Sequence, residues 1–235
     1  MKILAIDTSG RYLCMGLSDG SDTFEYSVDA GILLSDILTP SIGRVLDAVR
    51  LKPADIDLYC AGTGPGSFTS LRIGHAAIKA MAWANAKPVA GISTLDIMAD
   101  NPLLPDGLIA GIIDAKRSAL YSGWHLKAGR SVKRLSADRL IDIDTFVKSA
   151  KKYCSSLRKK EIIIIGDGLS VFAKEIRAGL PHAIFLDKEF WYPLPQALIS
   201  LAMRRAQEGR TLGPFELEPV YLYKQDCQVR EVPGR

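Results

Sequence analysis

The chain has 235 residues, of which 48% are hydrophobic and 24% are charged, and its formal net charge is +4. This is enough apolar material for one large domain or two smaller lobes, and it excludes a chain dominated by low-complexity sequence. The mild basic excess permits contact with RNA or with an acidic protein but requires neither.

The N-terminal segment and the cysteines bear on the compartment. Asp7 interrupts the first apolar run, residues 1–6, too early for a signal peptide or a membrane span. The cysteines lie far apart and lack any paired metal or redox spacing: Cys14, Cys60, Cys154 and Cys227. We therefore expect reduced thiols in a cytoplasmic protein that makes no contact with a membrane.

The first hundred residues predict a sheet with two long helices. Strands are predicted at residues 2–6, 12–17, 23–28, 58–61 and 88–91. A helical stripe of apolar side chains follows the third strand: Leu34, Leu38, Ile42, Val45, Leu46 and Val49. Pro40 lies within this stripe, so the helix either kinks there or begins with Thr39 as its N-cap. A glycine-rich loop at residues 62–66 precedes the second helix, which extends to about residue 85.

The second half of the chain repeats this plan. Strands are predicted at residues 108–113, 119–125 and 162–165, and helices around 145–153, 171–178 and 196–208. Asp114 ends its strand as Asp7 does, and Gly166 to Gly168 corresponds to the first glycine loop. We therefore predict an α/β protein of two duplicated lobes, residues 1–101 and 102–226, followed by a tail at residues 227–235.

The glycine loop is the first candidate site. Gly64 and Gly66 allow a tight turn, and Ser67 or Thr69 can cap the helix that follows. The free N–H groups of such a helix start suit a phosphate, although the stretch lacks the lysine of a P-loop. A plain strand-to-helix turn with a good cap explains the pattern equally well.

Two acidic turns form the second candidate site. Asp7, Thr8 and Ser9 follow one strand and Asp114 follows its counterpart. Facing each other across a cleft, the turns could hold a nucleotide phosphate and its magnesium ion. The favoured alternative is that both aspartates accept hydrogen bonds from their own turns.

The sequence predicts no catalytic residue and no metal site. His75, His125 and His182 are never three or four residues apart, so no helix face carries two of them. The Gly-x-Ser-x-Gly motif is absent, which argues against a hydrolase or a peptidase. A small-molecule kinase or ATPase stays open, with Asp7 and Asp114 as its candidate acids.

The helix after the glycine loop is apolar nearly all round, so more than one of its sides must be covered. It either packs with the preceding helix on the sheet, or the two helices together contact another protein chain.

Several segments resemble signatures of the bacterial TsaB (YeaZ) family, in the order found in that family. They are Ile3–Ser9, Leu33–Pro40, Gly64–Gly74, Ile92–Leu95, Asp114–Arg117, Gly166–Gly168 and Glu218–Leu222. The Gly-Pro-Gly-Ser-Phe-Thr block is specific to TsaB and to its catalytic sister TsaD.

The resemblance implies the two-lobed, ribonuclease H-like fold of the acetate kinase, sugar kinase, Hsp70 and actin (ASKHA) group. It also implies a non-catalytic partner of TsaD, which transfers threonylcarbamoyl to an adenosine beside the tRNA anticodon. The ATPase TsaE is a further implied partner, and ATP or ADP with magnesium is the implied ligand of the complex.

The sister subunit carries its two metal histidines on its first long helix, but residues 30–38 of this chain contain neither histidine nor cysteine. The resemblance therefore implies a docking role through the first-lobe helix pair, or a homodimer through the same surface. The implied contact residues are Leu33, Ile37, Ile42, Val45, Ile73, Ala77, Ala80 and Met81.

Two positions depart from the family pattern. Gly31 and Ile32 stand where a histidine or glutamate usually precedes the Leu-Leu pair, and Ser70 stands where glycine is usual. We expect the first departure to alter the start of the partner-facing helix and the second to narrow any anion site.

Overall fold

The computed structural model describes residues 1–223, which contain two β-sheets. The strands of the first sheet are β1 (Ile3–Asp7), β2 (Tyr12–Ser18), β3 (Thr23–Asp29), β4 (Leu58–Gly62) and β5 (Val89–Ile92). Their order is β3-β2-β1-β4-β5. The hairpin strands β1, β2 and β3 are antiparallel, whereas β1, β4 and β5 are parallel because helices connect them.

The second sheet repeats this topology. Its strands are β6 (Gly107–Asp114), β7 (Ala119–Ala128), β8 (Ser131–Arg134), β9 (Arg139–Asp142), β10 (Ile162–Ile165) and β11 (Ala183–Phe185). Their order is β11-β10-β6-β7-β8, and β9 also pairs with β7. The strands β6, β7 and β10 thus correspond to β1, β2 and β4, which confirms the predicted pair of duplicated α/β lobes.

Six α-helices cover the two sheets within the described residues. They are α1 (Leu34–Ala48), α2 (Phe68–Ala84), α3 (Thr94–Ala99), α4 (Ile143–Ser156), α5 (Leu169–Gly179) and α6 (Pro195–Gln207). α1 and α2 pack on one face of the first sheet, through the predicted apolar stripe of α1. α4 and α5 cover the equivalent face of the second sheet.

The remaining two helices are exchanged between the halves. α6 lies on the first sheet, where Ala197, Leu198 and Ala202 bury the side of the strands that α1 and α2 leave open. α3 lies on the second sheet, where Leu95 and Met98 pack against β6 and β10. Each sheet is therefore buried on both faces only when both halves of the chain are present.

Pro40 lies inside α1, which begins at Leu34 and continues to Ala48. The start at Thr39, which was one of the two alternatives for this helix, is therefore wrong. The buried side chains on both sides of the proline, Leu38 and Ile42, anchor the helix to the sheet through the turn where Pro40 donates no hydrogen bond.

Three points concern the limits of the chain and its thiols. The predicted tail at residues 227–235 lies outside the described residues, and the division at residues 101 and 102 stays a prediction. Cys14, Cys60 and Cys154 are free thiols. Among the helices of residues 1–223, none combines the length and the apolar composition needed to cross a bilayer.

Candidate functional site

The turn after β1 holds Asp7 in a buried network. The Ser9 N–H and hydroxyl donate to Asp7 Oδ1 at 2.8 and 2.6 Å, and the Thr94 hydroxyl donates to Asp7 Oδ2 at 2.7 Å. Asp7 is only 1% exposed. Both carboxylate oxygens are thus engaged within the chain: Oδ1 by the turn itself, as in the favoured alternative for this turn, and Oδ2 by a residue from another segment.

The glycine loop packs directly on this turn. A Cβ atom on Gly62 would lie 1.9 Å from Asp7 Oδ2, and one on Gly66 would lie 2.3 Å from the Ser9 carbonyl oxygen. The Ser67 N–H donates to that same carbonyl at 2.7 Å. The glycines therefore serve a close approach between two segments of the chain, and this N–H group is not directed at an anion.

Ser67 is the N-cap of α2, where its hydroxyl oxygen accepts the Ser70 N–H at 3.4 Å. The Thr8 hydroxyl donates to the Ser70 carbonyl at 2.8 Å, and a Cβ atom on Gly74 would lie 2.3 Å from Thr8 Oγ1. Thr8 is thereby pressed against the first turns of α2. Ser70 takes part in this contact through its backbone, and its hydroxyl donates to Ser67.

His75 lies beneath the loop, a position that the sequence did not single out. Its Nε2 atom is 3.0 Å from the Gly62 carbonyl oxygen, and its Nδ1 atom is buried with no hydrogen-bond partner among the described residues. Burial lowers the pKa of His75 below its ordinary value. Burial has the opposite effect on the nearby carboxyl and raises the pKa of Asp7, against the hydrogen bonds from Ser9 and Thr94.

The turn after β6 is more open than the turn after β1. Asp114 Oδ1 accepts the Lys116 N–H at 2.9 Å, and Asp114 Oδ2 forms an ion pair with the same lysine. The Asp114 N–H donates to Asp167 at 3.0 Å. Burial, together with the charge of Asp114, raises the pKa of Asp167. Lys116, Arg117 and Ser118 all have positive φ angles, each of which costs about 1 kcal/mol in a residue other than glycine.

Residues 217–223, which we call the C-terminal strap, connect the two turns. The Val220 N–H donates to the Thr63 carbonyl at 2.8 Å, beside the glycine loop. The Tyr223 hydroxyl donates to the Ala115 carbonyl at 2.7 Å, beside Asp114. The strap therefore runs from one candidate turn to the other.

The strap is anchored along one side of α2. The Tyr221 ring lies 4.8 Å from the Phe68 ring, and the Arg72 guanidinium group stacks over Phe68 at 3.8 Å. Lys79 pairs with Glu218 at 2.8 Å. The motif at Glu218–Leu222 therefore lies beside the Gly-Pro-Gly-Ser-Phe-Thr motif, although about 150 residues separate them in the chain.

A magnesium–nucleotide complex does not fit the first-half turn. Magnesium needs a carboxylate oxygen directed at the ion, whereas both oxygens of Asp7 accept hydrogen bonds from buried partners. Gly66 packs against Ser9, and the Ser67 N–H at the start of α2 donates to the Ser9 carbonyl. Within residues 1–223, no three His, Cys, Asp or Glu side chains come together as a metal site.

The implied contact residues divide into two sets. Ile42 and Val45 are buried in the core of the first lobe, because they belong to the stripe of α1 that faces the sheet, and they leave almost no surface for a partner. The others keep part of their surface exposed: Leu33, Ile37, Ile73, Ala77, Ala80 and Met81. We call this second set the helix seam.

Two exposed apolar side chains directly precede α1, where Ile32 is 97% and Leu33 is 55% exposed. They occupy the region where the sequence departs from the family pattern. Because they are adjacent in the chain, Ile32 and Leu33 place two apolar side chains in water beside the helix seam.

The sequence did not reveal the partners of Asp7 or the role of the strap. Thr94 lies 87 residues from Asp7, and Tyr223 lies 108 residues from Ala115. A local signal existed only for α3, because Ser93 precedes the helix and caps it by accepting the Leu95 and Asp96 N–H groups.

Comparisons with known proteins show the family of the chain. The family model described as TsaD, tRNA N6-adenosine threonylcarbamoyltransferase, matches residues 30–203. The tRNA threonylcarbamoyladenosine biosynthesis protein TsaB of Bacillus subtilis is 27% identical, and the alignment covers all of both chains. TsaB of Escherichia coli is 26% identical, again with full coverage of both chains.

Solved structures agree on the fold. A Pseudomonas aeruginosa protein described as similar to the peptidase YeaZ has a TM-score of 0.81 at 22% identity, covering 94% of this chain and 99% of its own. A second structure, YeaZ from the same organism, has a TM-score of 0.79 with the same identity and coverage. The chain belongs to the TsaB (YeaZ) family of tRNA threonylcarbamoyladenosine biosynthesis proteins.

Proposed function

We propose that this chain is a non-catalytic subunit that docks on the TsaD threonylcarbamoyltransferase and activates it. The product is threonylcarbamoyladenosine next to the anticodon in tRNAs that read codons starting with A. Two relatives that align along the whole chain are biosynthesis proteins for this nucleoside, which supports the pathway. The setting of this activity would be the cytoplasm.

The observation that carries the docking role is the helix seam. Side chains of α1 and α2 pack on the core with part of their apolar surface left open, and Ile32 and Leu33 extend this surface. Ala77 and Ala80 are small, so the backbone of a partner helix can approach α2 closely. An apolar, partly open helix pair of this kind suits a protein–protein interface.

The geometry of the turns favours a supporting role over phosphotransfer. A kinase or ATPase needs a carboxylate that faces its substrate, and Asp7 is occupied on both oxygens. Asp114 is paired with Lys116. The kinase alternative thus finds no free acid at the two positions that the sequence offered.

The proposed partners follow from the family. TsaD would occupy the helix seam, TsaE would join as the ATPase, and tRNA would reach this chain through the complex. In the absence of TsaD, the same seam offers a surface for a homodimer. ATP or ADP with magnesium would bind at the complex rather than at Asp7 of the isolated chain.

The test is reconstitution of the modification with TsaD, TsaE, tRNA and a supply of threonylcarbamoyl-adenylate, with and without this chain. We expect modified tRNA only in its presence. Equal yields without it would contradict the proposal.

A charge in the helix seam tests the docking surface directly. Ile37→Glu should weaken the complex with TsaD by about a hundredfold, because the charge would be buried without a partner. Thr39→Glu is the matched control, since Thr39 is exposed and lies about 200° around α1 from Ile37. Size-exclusion chromatography of each mixture measures the loss, and an intact Ile37→Glu complex would move the interface elsewhere.

A further inference from the structure

A cavity lies at the end of the molecule opposite the candidate turns. Its volume is about 790 Å³, which is the size of a small-molecule site. We call it the basal pocket; its polar and charged lining residues are Asp100, Asp106, Lys127, Arg130, Gln196, Ser200 and Arg204. Asp106 precedes the first residue of β6, whereas Asp114 is its last, so roughly 24 Å of strand separates this pocket from the acidic turn.

Lys127 is the central feature of the basal pocket. The residue belongs to β7, and only 5% of it is exposed. Its ammonium group donates a hydrogen bond to the Asn101 carbonyl at 3.1 Å. An ammonium group has three N–H donors, and a carbonyl oxygen carries no charge to balance it. Asp100 is near enough to interact electrostatically with Lys127, but its ion pair is with Arg204. The buried ammonium group therefore shares its nearby acid with a second cation, which favours an additional anion in the adjoining cavity.

The two acids of the basal pocket are already engaged. Asp100 forms an ion pair with Arg204, and Asp106 accepts the Gly129 N–H at 2.8 Å. Arg130 is exposed at the rim, with no ion pair among residues 1–223. Three cations thus face two acids, and two of the cations retain donors for an additional negative group.

The neutral lining completes the arrangement. The side chains of Gln196 and Ser200 reach the cavity from α6 and offer further hydrogen bonds, while Pro102 and Leu104 form an apolar wall. Asp100 comes from the first half of the chain, whereas Lys127 and the side chains of α6 come from the second, so the wall of the basal pocket is built from both halves.

We propose that the basal pocket binds a small organic oxyanion, with Lys127 as the buried counter-charge and Arg130 and Arg204 at the rim. The shared chemistry is a carboxylate or a phosphate group joined to a small apolar body. Binding would favour the folded protein, because the pocket exists only when both halves are assembled.

The experiment uses the full chain and two probes, citrate as a polycarboxylate and glycerol 3-phosphate as a phosphate monoester. Sodium chloride at matched ionic strength is the reference. Isothermal titration calorimetry should show saturable binding of at least one probe, and the thermal midpoint should rise by several degrees at a hundredfold excess over Kd. The probe that binds identifies the acid class.

Three variants locate the site. Lys127→Met keeps the length of the side chain and should weaken binding at least tenfold, since a hydrogen bond to a charged group is lost. Arg130→Gln is exposed, so it leaves the fold intact and should weaken binding several-fold even if Lys127→Met fails to fold. Lys151→Gln, on the exposed face of α4, should bind like the parent chain.

Two results would overturn the proposal. One is the absence of saturable binding for both probes at matched ionic strength. The other is binding that Arg130→Gln and Lys127→Met leave unchanged. Neither outcome bears on the helix seam, because the assay contains no TsaD.

Discussion

At the scale of single residues, the first-half turn depends on two glycines, which have no side chain. Gly62 leaves room for the carboxylate of Asp7, and Gly66 leaves room for Ser9. The sequence predicted the turn and its glycines correctly. It could not predict that the space is filled by an aspartate from another strand, because that contact joins residues 55 positions apart in the chain.

Gly62→Ala tests this packing. The new methyl group would overlap a buried carboxylate that is held by three hydrogen bonds, so we expect a loss of about 1–3 kcal/mol in the free energy of unfolding. Gly43→Ala is the control, because nothing lies within 4 Å of the added atom in α1. That change should stabilise by about 0.5–1 kcal/mol. Urea unfolding measures both, and equal effects would contradict the packing argument.

The pH dependence of stability should separate two aspartates. Burial raises the pKa of Asp7, so the folded chain binds this proton more tightly than the unfolded chain does. The contribution of Asp7 to stability therefore declines as the pH rises from about 3.8 through its folded-state pKa. The Thr145 N–H lowers the pKa of Asp142, whose contribution is present above about pH 3.8 and is lost as the pH falls.

Asp7→Asn and Asp142→Asn should accordingly have opposite trends. Relative to the parent chain, the free energy of unfolding should increase with pH for the first variant and decrease with pH for the second. Urea unfolding between about pH 3 and pH 7 covers both windows. The same trend in both variants would contradict the assignment of Asp7.

At the scale of elements, the long pieces followed from the sequence. The helix α1 has a clear apolar period, α2 is a long segment that is apolar nearly all round, and β10 is an uninterrupted apolar run. The sequence missed β8, β9, β11 and α3, which have only three to six residues each and therefore too few positions to establish a period. The C-terminal strap could not be predicted for another reason. It has no regular secondary structure, and the residues that hold it are distant in sequence.

Leu217→Ala tests how firmly the strap is held. The Leu217 side chain lies against Gly91 and is buried in the core of the first lobe, so we expect a loss of about 2–4 kcal/mol in the free energy of unfolding. Val220→Ala is the control in the same segment, because Val220 is 43% exposed, and it should cost less than about 0.5 kcal/mol. If the two changes have the same cost, the strap is not anchored at Leu217.

At the scale of the whole molecule, the duplication was readable but the exchange of helices was not. Repeated strand, turn and glycine patterns predicted two lobes. The apolar face of α6 predicts a buried helix, but its sequence does not indicate which of the two sheets it covers. The same holds for α3. Only the tertiary structure shows that α6 belongs to the first sheet.

Expression of residues 1–101 and 102–223 as separate chains tests this dependence. The first fragment would expose the sheet face that includes Ile3, Leu58 and Ile92, so we expect it to aggregate. Co-expression should restore a soluble pair with the mobility of the intact chain in size-exclusion chromatography. A first fragment that is monomeric and fully folded alone would contradict this expectation.

The exchange of helices also has a consequence during synthesis. The strand β5 ends at residue 92 and α6 begins at residue 195, so the ribosome adds about 100 residues before the first sheet can be covered. At 5–20 residues per second this takes about 5–20 seconds. During that interval the apolar face of the first sheet that α6 later covers stays exposed on the nascent chain. We therefore expect chaperones that act near the ribosomal exit tunnel to bind the chain during synthesis.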